Sequence, residues 1–286
     1  MRICATYASV SFTVDEPGHF ACGMQYLAKH AYGYWPEQPP LARAAIALPP
    51  YLAGVRPLGE ENYNVEGRDV ILSSARPGRT LTLMRLGVLP FFWLACAVVY
   101  YWCRHYFGTA VALLGVAVFT LEPSVLAHAG LACTDMALAA TTGAAFLASV
   151  LWAESPSWKR GALMGVAVAL AVLAKFTALL YLPAGAVLAA VFFLAGDRPG
   201  WRAIIRLIRE RLATLALAVL VCAMAIWAGY WFSFGSVAGW NIKLPARNCS
   251  QACGWRGSTI PTGIPAIFWD ISACRAGGII TQSHWR

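Results

Sequence analysis

The chain has 286 residues, 59% of them hydrophobic and only 12% charged, with a mean hydropathy of +0.59 and a formal net charge of +9. Soluble chains are roughly a quarter charged, so this composition excludes a disordered chain, a disulfide-stapled secreted module and a soluble enzyme. It fits a polytopic membrane protein with room for roughly six to eight spans of about 20 residues each.

In chain order, residues 1–14 (MRICATYASVSFTV) lack the basic start and clean apolar core of a signal peptide. As a helix they rise about 21 Å, short of the roughly 30 Å apolar core of a bilayer. They read as a truncated first transmembrane helix. Residues 15–82 follow as a mixed, proline-punctuated segment that carries Asp15, Glu16, Glu37, Glu60, Glu61, Glu66 and Asp69. Apolar runs then cover 83–103, 109–121, 136–152, 161–196 and 212–234. Helices are expected for all of them, because polarity does not alternate along them and only helices satisfy their own backbone in lipid.

The basic residues set the orientation. Lys159 and Arg160 precede the run 161–196, and Arg198, Arg202, Arg206, Arg209 and Arg211 follow it. Short basic loops face the cytoplasm, so the run between them must cross twice, as two short helices with a crest near 175–183. That makes a membrane domain over 83–234 with about six spans. Lys175, the one charge in the run, then sits at or just below the outer face. An intramembrane Lys is a functional candidate by default, against the alternative of snorkelling to the interface. Working backwards, the turn at 122–135 is external, Arg104 and His105 are internal, and 15–82 lies outside. The positive charge thus reports topology, and no nucleic-acid partner is expected. Cys249 and Cys253 form a close pair without a second pair at zinc-site spacing, so neither zinc nor a disulfide is assigned there.

Single residues in this frame carry two readings. Asp15 and Glu16 are adjacent acids where a first span has just ended, and His19 falls four residues after Asp15, on one helical face. Such a pair is either a solvated surface feature or a base at the membrane edge. Asp135 opens the span 136–152; either it or Thr134 caps that helix, or Asp135 is a second acid facing a cavity. Arg85 either snorkels or pairs with a loop acid or an anionic ligand. His19 and His128 are read as structural hydrogen-bonders. A transporter, the competing class, would place acids mid-span in repeated halves, and neither feature is present.

Taken in order, the motifs are more specific. DEPGHFACGMQYL from Asp15 is followed by PEQPPLARAAIALP from Pro36, then by Arg85 and CRHYFGTAVALLGVAVFTLEPSVLAHAGLACTDMAL. LAKFTALLYLP and IWAGYWFSF complete the series. Over roughly residues 13 to 242 this resembles the dolichyl-phosphate-mannose-dependent protein mannosyltransferases, glycosyltransferase family 39. They belong to the C-type superfamily that also holds the lipid A aminoarabinose transferase. The resemblance implies an all-α polytopic transmembrane bundle with a mixed helical external loop after the first span. It implies an inverting transferase that takes a sugar from a polyprenyl- or dolichyl-phosphate carrier and gives it to an acceptor protein, glycan or glycolipid hydroxyl on the extracytoplasmic face.

By similarity the catalytic base is Asp15, with Glu16 beside it. Glu37, Arg85, Asp135 and Lys175 are the expected substrate-binding residues, with Lys175 serving the carrier phosphate. For Glu37 the resemblance implies either a loop-holding role or a share in a divalent-metal site, as in related lipid A-type transferases. No partner ligand is identifiable in the sequence, and no metal is assigned. Membrane lipid is the surrounding partner, and a bacterial inner membrane is the expected location. Two departures from the family pattern stand at the ends. Residues 1–14 are shorter than a full first span, and the Cys-, Arg- and Gly-rich stretch within 235–286 reads from about 246 as a shifted frame. An inactive fragment of such an enzyme is therefore the alternative expectation.

Overall fold

The computed structural model describes residues 2–7, 10–197, 200–236 and 243–245. These residues form a polytopic all-α bundle with a group of short helices ahead of it. The short group comprises α1 (Arg2–Thr6), α2 (Glu16–Lys29), α3 (Pro40–Leu52), α4 (Tyr63–Ser73) and α5 (Pro77–Leu86). The long group comprises α6 (Leu89–Phe107), α7 (Thr109–Leu121), α8 (Pro123–Ala129), α9 (Asp135–Glu154), α10 (Trp158–Ala174), α11 (Ala178–Asp197) and α12 (Trp201–Gly229). A three-residue antiparallel pair, β1 (Phe234–Ser236) with β2 (Lys243–Pro245), follows α12. The expected frame shift from about residue 246 lies outside the described residues.

Local chemistry explains the boundaries. Proline occupies the first turn of α2, α3, α5 and α8, where its missing N–H is no loss. The Asn62 side chain accepts from the amides of Asn64 and Val65 to start α4, and Ser157 accepts from that of Arg160 to start α10. The apolar run 83–103 does not begin a helix: its first residues complete α5, and α6 starts afresh at Leu89–Pro90. The basic residues also lie elsewhere than in loops. Lys159 and Arg160 sit in the first turn of α10, and Arg202, Arg206, Arg209 and Arg211 in the first three turns of α12. Arginine is a good helix former, so the end of an apolar run is not the end of its helix. At 29 residues, α12 rises about 44 Å and overshoots a 30 Å apolar slab.

Four helical stretches are long and apolar enough to cross a membrane: Pro77–Phe107, Asp135–Glu154, Ala178–Gly196 and Trp201–Gly229. A fifth candidate is the broken pair α7 and α8, bent by 68°. Helix α10 is apolar but only 17 residues long, and the chain leaves it through a non-helical break at 175–177 before α11. Of the apolar windows of α11 and α12 only 6% and 11% is buried in the protein. Their outward Leu188, Phe192, Val219 and Leu220 form the kind of surface that lipid, not water, solvates.

One apolar core ties the two groups together. Phe20 and Met24 of α2, Ile46 of α3, Ile71 of α4 and Met84 of α5 pack with Val88, with Phe92 of α6 and with Met136 of α9. Deeper in the bundle the contacts are small. Gly161 and Gly165 of α10 face Thr214 and Ala218 of α12, both pairs four residues apart. A Cβ added at Gly165 would stand 2.4 Å from the Ala218 carbonyl oxygen. Lipid tails are as apolar as leucine, so close backbone approach through small residues, not burial of bulk, holds such helices together. Gly165→Val should therefore destabilise the fold by about 1–3 kcal/mol through overpacking. Gly196→Val, with open space around it, should leave the thermal midpoint unchanged. Equal midpoints for the two variants would refute this packing.

Candidate functional site

The site grows from the N-terminus of α2. Glu16, its first residue, is fully buried, as is Arg85 in the last turn of α5. The guanidinium Nε donates to Glu16 Oε1 and Nη2 to Oε2, both at 2.9 Å. Its remaining N–H groups reach three backbone carbonyls: Nη1 to Tyr7 at 2.7 Å and Val10 at 3.0 Å, Nη2 to Ser11 at 3.1 Å. A guanidinium has five N–H donors, and all five are used. Glu16 is as fully engaged. It also accepts from the Thr13 amide at 2.8 Å and hydroxyl at 3.3 Å, and from the Ala132 amide at 2.8 Å. Five donors meet a carboxylate with about four lone-pair sites. Arg85 thus pairs with a loop acid and does not snorkel, and Glu16 has no lone pair left for a reacting proton.

This network fixes what surrounds it. Asp15, half-buried just ahead of Glu16, makes no side-chain hydrogen bond to cap α2. The Ala132 amide belongs to the turn at 130–134 that leads into α9, so Glu16 holds that turn against α2. Asp135 is the first residue of α9, and no side chain from Thr134 caps that helix. Instead Asp135 Oδ1 meets Lys175 Nζ at 3.1 Å, and its Oδ2 lies 3.8 Å from His128 Nδ1. Lys175 sits at the break between α10 and α11 and is buried. The Cys133 thiol reports the convergence: after desolvation, the charges of Glu16, Asp135 and Asp15 push it upward. Three carboxylates therefore gather around one turn, with Lys175 and His128 on Asp135.

Beside this cluster stands a second layer. His19, one turn after Asp15, is buried and stacks on Trp35 with ring centroids 5.4 Å apart; Trp35 stacks in turn on Tyr63 at 5.3 Å. Burial, then the charges of Arg43 and Lys175, hold the imidazole well below its ordinary pKa, so it is neutral. An open groove of about 250 Å³ lies between residues 12–14, Pro17 and the start of α4, with Asn64 and Arg68 on its wall. Not every acid belongs here. Glu66 is fully buried and accepts from the amides of Leu58, Gly59 and Glu60 at 2.7–2.9 Å, so it holds its own loop. Glu37 stands in an exposed turn between α2 and α3 and enters no ion pair among the described residues. No group of three or more His, Cys, Asp or Glu that could hold a metal occurs among those residues.

Sequence reasoning singled out the five charged residues of this cluster, Asp15, Glu16, Arg85, Asp135 and Lys175. It missed Trp35, Tyr63 and Arg43, which wall the second layer. A lone Arg in PLARAAIALPP, otherwise apolar from Pro40, was the signal that a charge is buried there.

Residues 2–203 match the family described as dolichyl-phosphate-mannose-protein mannosyltransferase. The match spans well over half of the chain, which therefore belongs to this glycosyltransferase family. No curated protein and no solved structure matches the chain.

Two consequences can be measured. Breaking the buried pair from one side leaves an uncompensated charge, so Arg85→Met should lower folding stability by about 3–5 kcal/mol. The double variant Glu16→Gln/Arg85→Met should be less destabilised than the sum of the single variants, and additivity in a double-mutant cycle would refute the coupling. The neutral His19 also makes stability depend on pH. The unfolded imidazole takes up a proton below about 6.5 while the folded one resists, so stability present above that pH is lost as pH falls. His19→Gln should flatten the fall in thermal midpoint between about pH 7 and pH 5; an unchanged slope would refute it.

Proposed function

We propose that this member of the mannosyltransferase family transfers one sugar from a polyprenyl- or dolichyl-phosphate carrier to an acceptor hydroxyl on the extracytoplasmic face of its membrane. The observation that carries the reading is the held geometry of Asp15. Its neighbour Glu16 is locked by Arg85 and Ala132, and a second acid–cation pair, Asp135 with Lys175, faces the same turn.

In this reading Asp15 removes the acceptor proton as the hydroxyl attacks the anomeric carbon, the work of a general base. Glu16 is a positioning residue, since both of its oxygens are occupied. The leaving group is a lipid phosphate at the membrane edge, where charge develops as the glycosidic bond breaks. Lys175 supplies a cation there, and Asp135 orients it. Arg85 acts through Glu16, not on the substrate. Glu37, in the exposed turn between α2 and α3, holds that loop or contacts the substrate. Residues 15–82 form the catalytic loop and 83–234 the membrane domain. The acceptor is a protein Ser or Thr, a glycan or a glycolipid, approaching along the groove beside Asn64 and Arg68.

Transfer from a radiolabelled polyprenyl-phosphate sugar to a serine peptide or a glycolipid tests this in nanodiscs. Asp15→Asn should lower turnover by about 10²–10⁴-fold, the contribution of a general base, with the thermal midpoint unaltered. Lys175→Met should lower turnover and weaken binding of the carrier phosphate. Equal turnover of the wild type and Asp15→Asn would remove Asp15 as base. No turnover by the wild type with any carrier-linked sugar would favour an inactive fragment.

A further inference from the structure

The first three turns of α12 stand apart from the rest of the bundle. Helices α10 and α12 run side by side in the same direction, with Gly161 against Thr214 and Gly165 against Ala218. That register sets Trp158, the first residue of α10, level with Arg211. Residues 201–210 therefore project past the start of α10 as part of one continuous helix. Lys175 follows the far end of α10, so the projection lies at the opposite end of the bundle from the Asp135–Lys175 pair.

Two stripes run along the projection. Arg202, Arg206 and Arg209 recur at the i, i+4, i+7 spacing of one helical face, and all three are exposed. Trp201, Ile205, Ile208 and Leu212 follow the same spacing about a quarter turn away. They too are exposed, Trp201 at 72%. The charge is strongly unbalanced. From 197 to 211 the sequence carries five arginines against two acids, Asp197 and Glu210. No ion pair among the described residues includes Arg202, Arg206 or Arg209. At the adjoining end of α9, Glu154 already accepts from the Tyr106 hydroxyl at 2.6 Å and meets His105 Nε2 at 2.8 Å.

An exposed tryptophan and two exposed isoleucines beside a row of arginines suit neither water nor acyl chains alone. Tilted by about 20°, a helix of about 44 Å rises roughly 41 Å, which matches the apolar core plus both headgroup layers. The first turns of α12 then stand in one headgroup layer, where tryptophan is favoured and arginine snorkels. We propose that these turns form a binding surface for anionic phospholipid, with Arg202, Arg206 and Arg209 on the phosphates and Trp201, Ile205 and Ile208 among the upper acyl chains. A guanidinium fork matches a phosphate in charge and shape, and cations beside an apolar stripe are the pattern of attachment to an anionic lipid surface. A second copy of the chain fits this face poorly, because a two-fold contact through it would set the arginine rows against each other.

Native mass spectrometry of the full chain, released into neutral detergent from nanodiscs of equimolar phosphatidylcholine and phosphatidylglycerol, counts the lipids retained. The wild type should retain phosphatidylglycerol in preference. Arg202→Gln/Arg206→Gln/Arg209→Gln should lower that preference by about fivefold for each arginine removed. Replacing the same three by Lys should keep most of it, as should Lys29→Gln/Arg76→Gln/Arg79→Gln, which removes three exposed cations outside α12. Equal retention of the two lipids by the wild type would overturn the surface, as would a preference that survives the α12 glutamines. An equal loss in the Lys29, Arg76 and Arg79 variant would show an effect of net charge alone, and displacement of the lipid by inorganic phosphate would show an isolated anion site; either overturns it. A dimer that the α12 glutamines dissociate, without lipid preference, would assign the face to a second copy instead. Glutamine is a good helix former and the three positions are exposed, so the fold should survive. If the triple variant does not fold, the three single Arg→Gln variants decide, each with about a fivefold loss expected.

Discussion

The fold turns on one buried cation. Arg85 brings together a carboxylate from α2 and three carbonyls from the segment between α1 and α2, while Glu16 reaches on to an amide in the turn before α9. These pieces are far apart in the chain, Glu16 and Arg85 by 69 residues and Glu16 and Ala132 by 116. A buried ion pair adds little net stability over a well-packed apolar group, because desolvation opposes the Coulomb attraction. What it does supply is geometry. Charge-assisted bidentate bonds tolerate little displacement, so the start of α2 cannot shift against the bundle without leaving buried charge unpaired.

That constraint sorts the acids. Glu16 and Glu66 are fully buried and saturated with donors, one joining distant elements and the other closing its own loop. Asp15 and Asp135 are half-buried beside the same turn, where a carboxylate can meet a substrate. Adjacent residues 15 and 16 thus have opposite fates, because successive side chains at a helix start point about 100° apart. One faces inward to Arg85 and the other toward the rim. Arg85 and Arg43 form a similar contrast among the cations, one bound to the Glu16 carboxylate and one donating to the carbonyls of Trp35 and Gln38.

Below this layer the physics changes. Helices α11 and α12 present leucine, valine and phenylalanine outward, and no apolar gain follows from hiding them in protein when the surroundings are lipid. Association there relies on close approach at Gly161, Gly165, Thr214 and Ala218, and on the hydrogen bond from Trp152 to Thr214. The short-helix layer, by contrast, has a conventional core of Phe20, Met24, Ile46 and Met84. The Glu16–Arg85 and Asp135–Lys175 pairs sit where the two regimes meet.

The sequence by itself determined the membrane character, the helical class, the order of the apolar segments and the identity of the charged residues that pair beside them. Composition and run length carry that information because lipid permits only self-satisfied helices. Asp15, Asp135 and Lys175 were legible as rare charges beside long apolar runs, and Arg85 was legible as a charge in need of a partner. Only the tertiary structure decided which partner each one takes. It gave Glu16 to Arg85 and Lys175 to Asp135, and it placed Glu37 in an exposed turn. It also carried Arg202 through Arg211 into a helix that runs on past its apolar stretch. Pairing between residues tens of positions apart leaves no periodic trace in a single chain, because it depends on which helix faces pack together and not on the local order of residues.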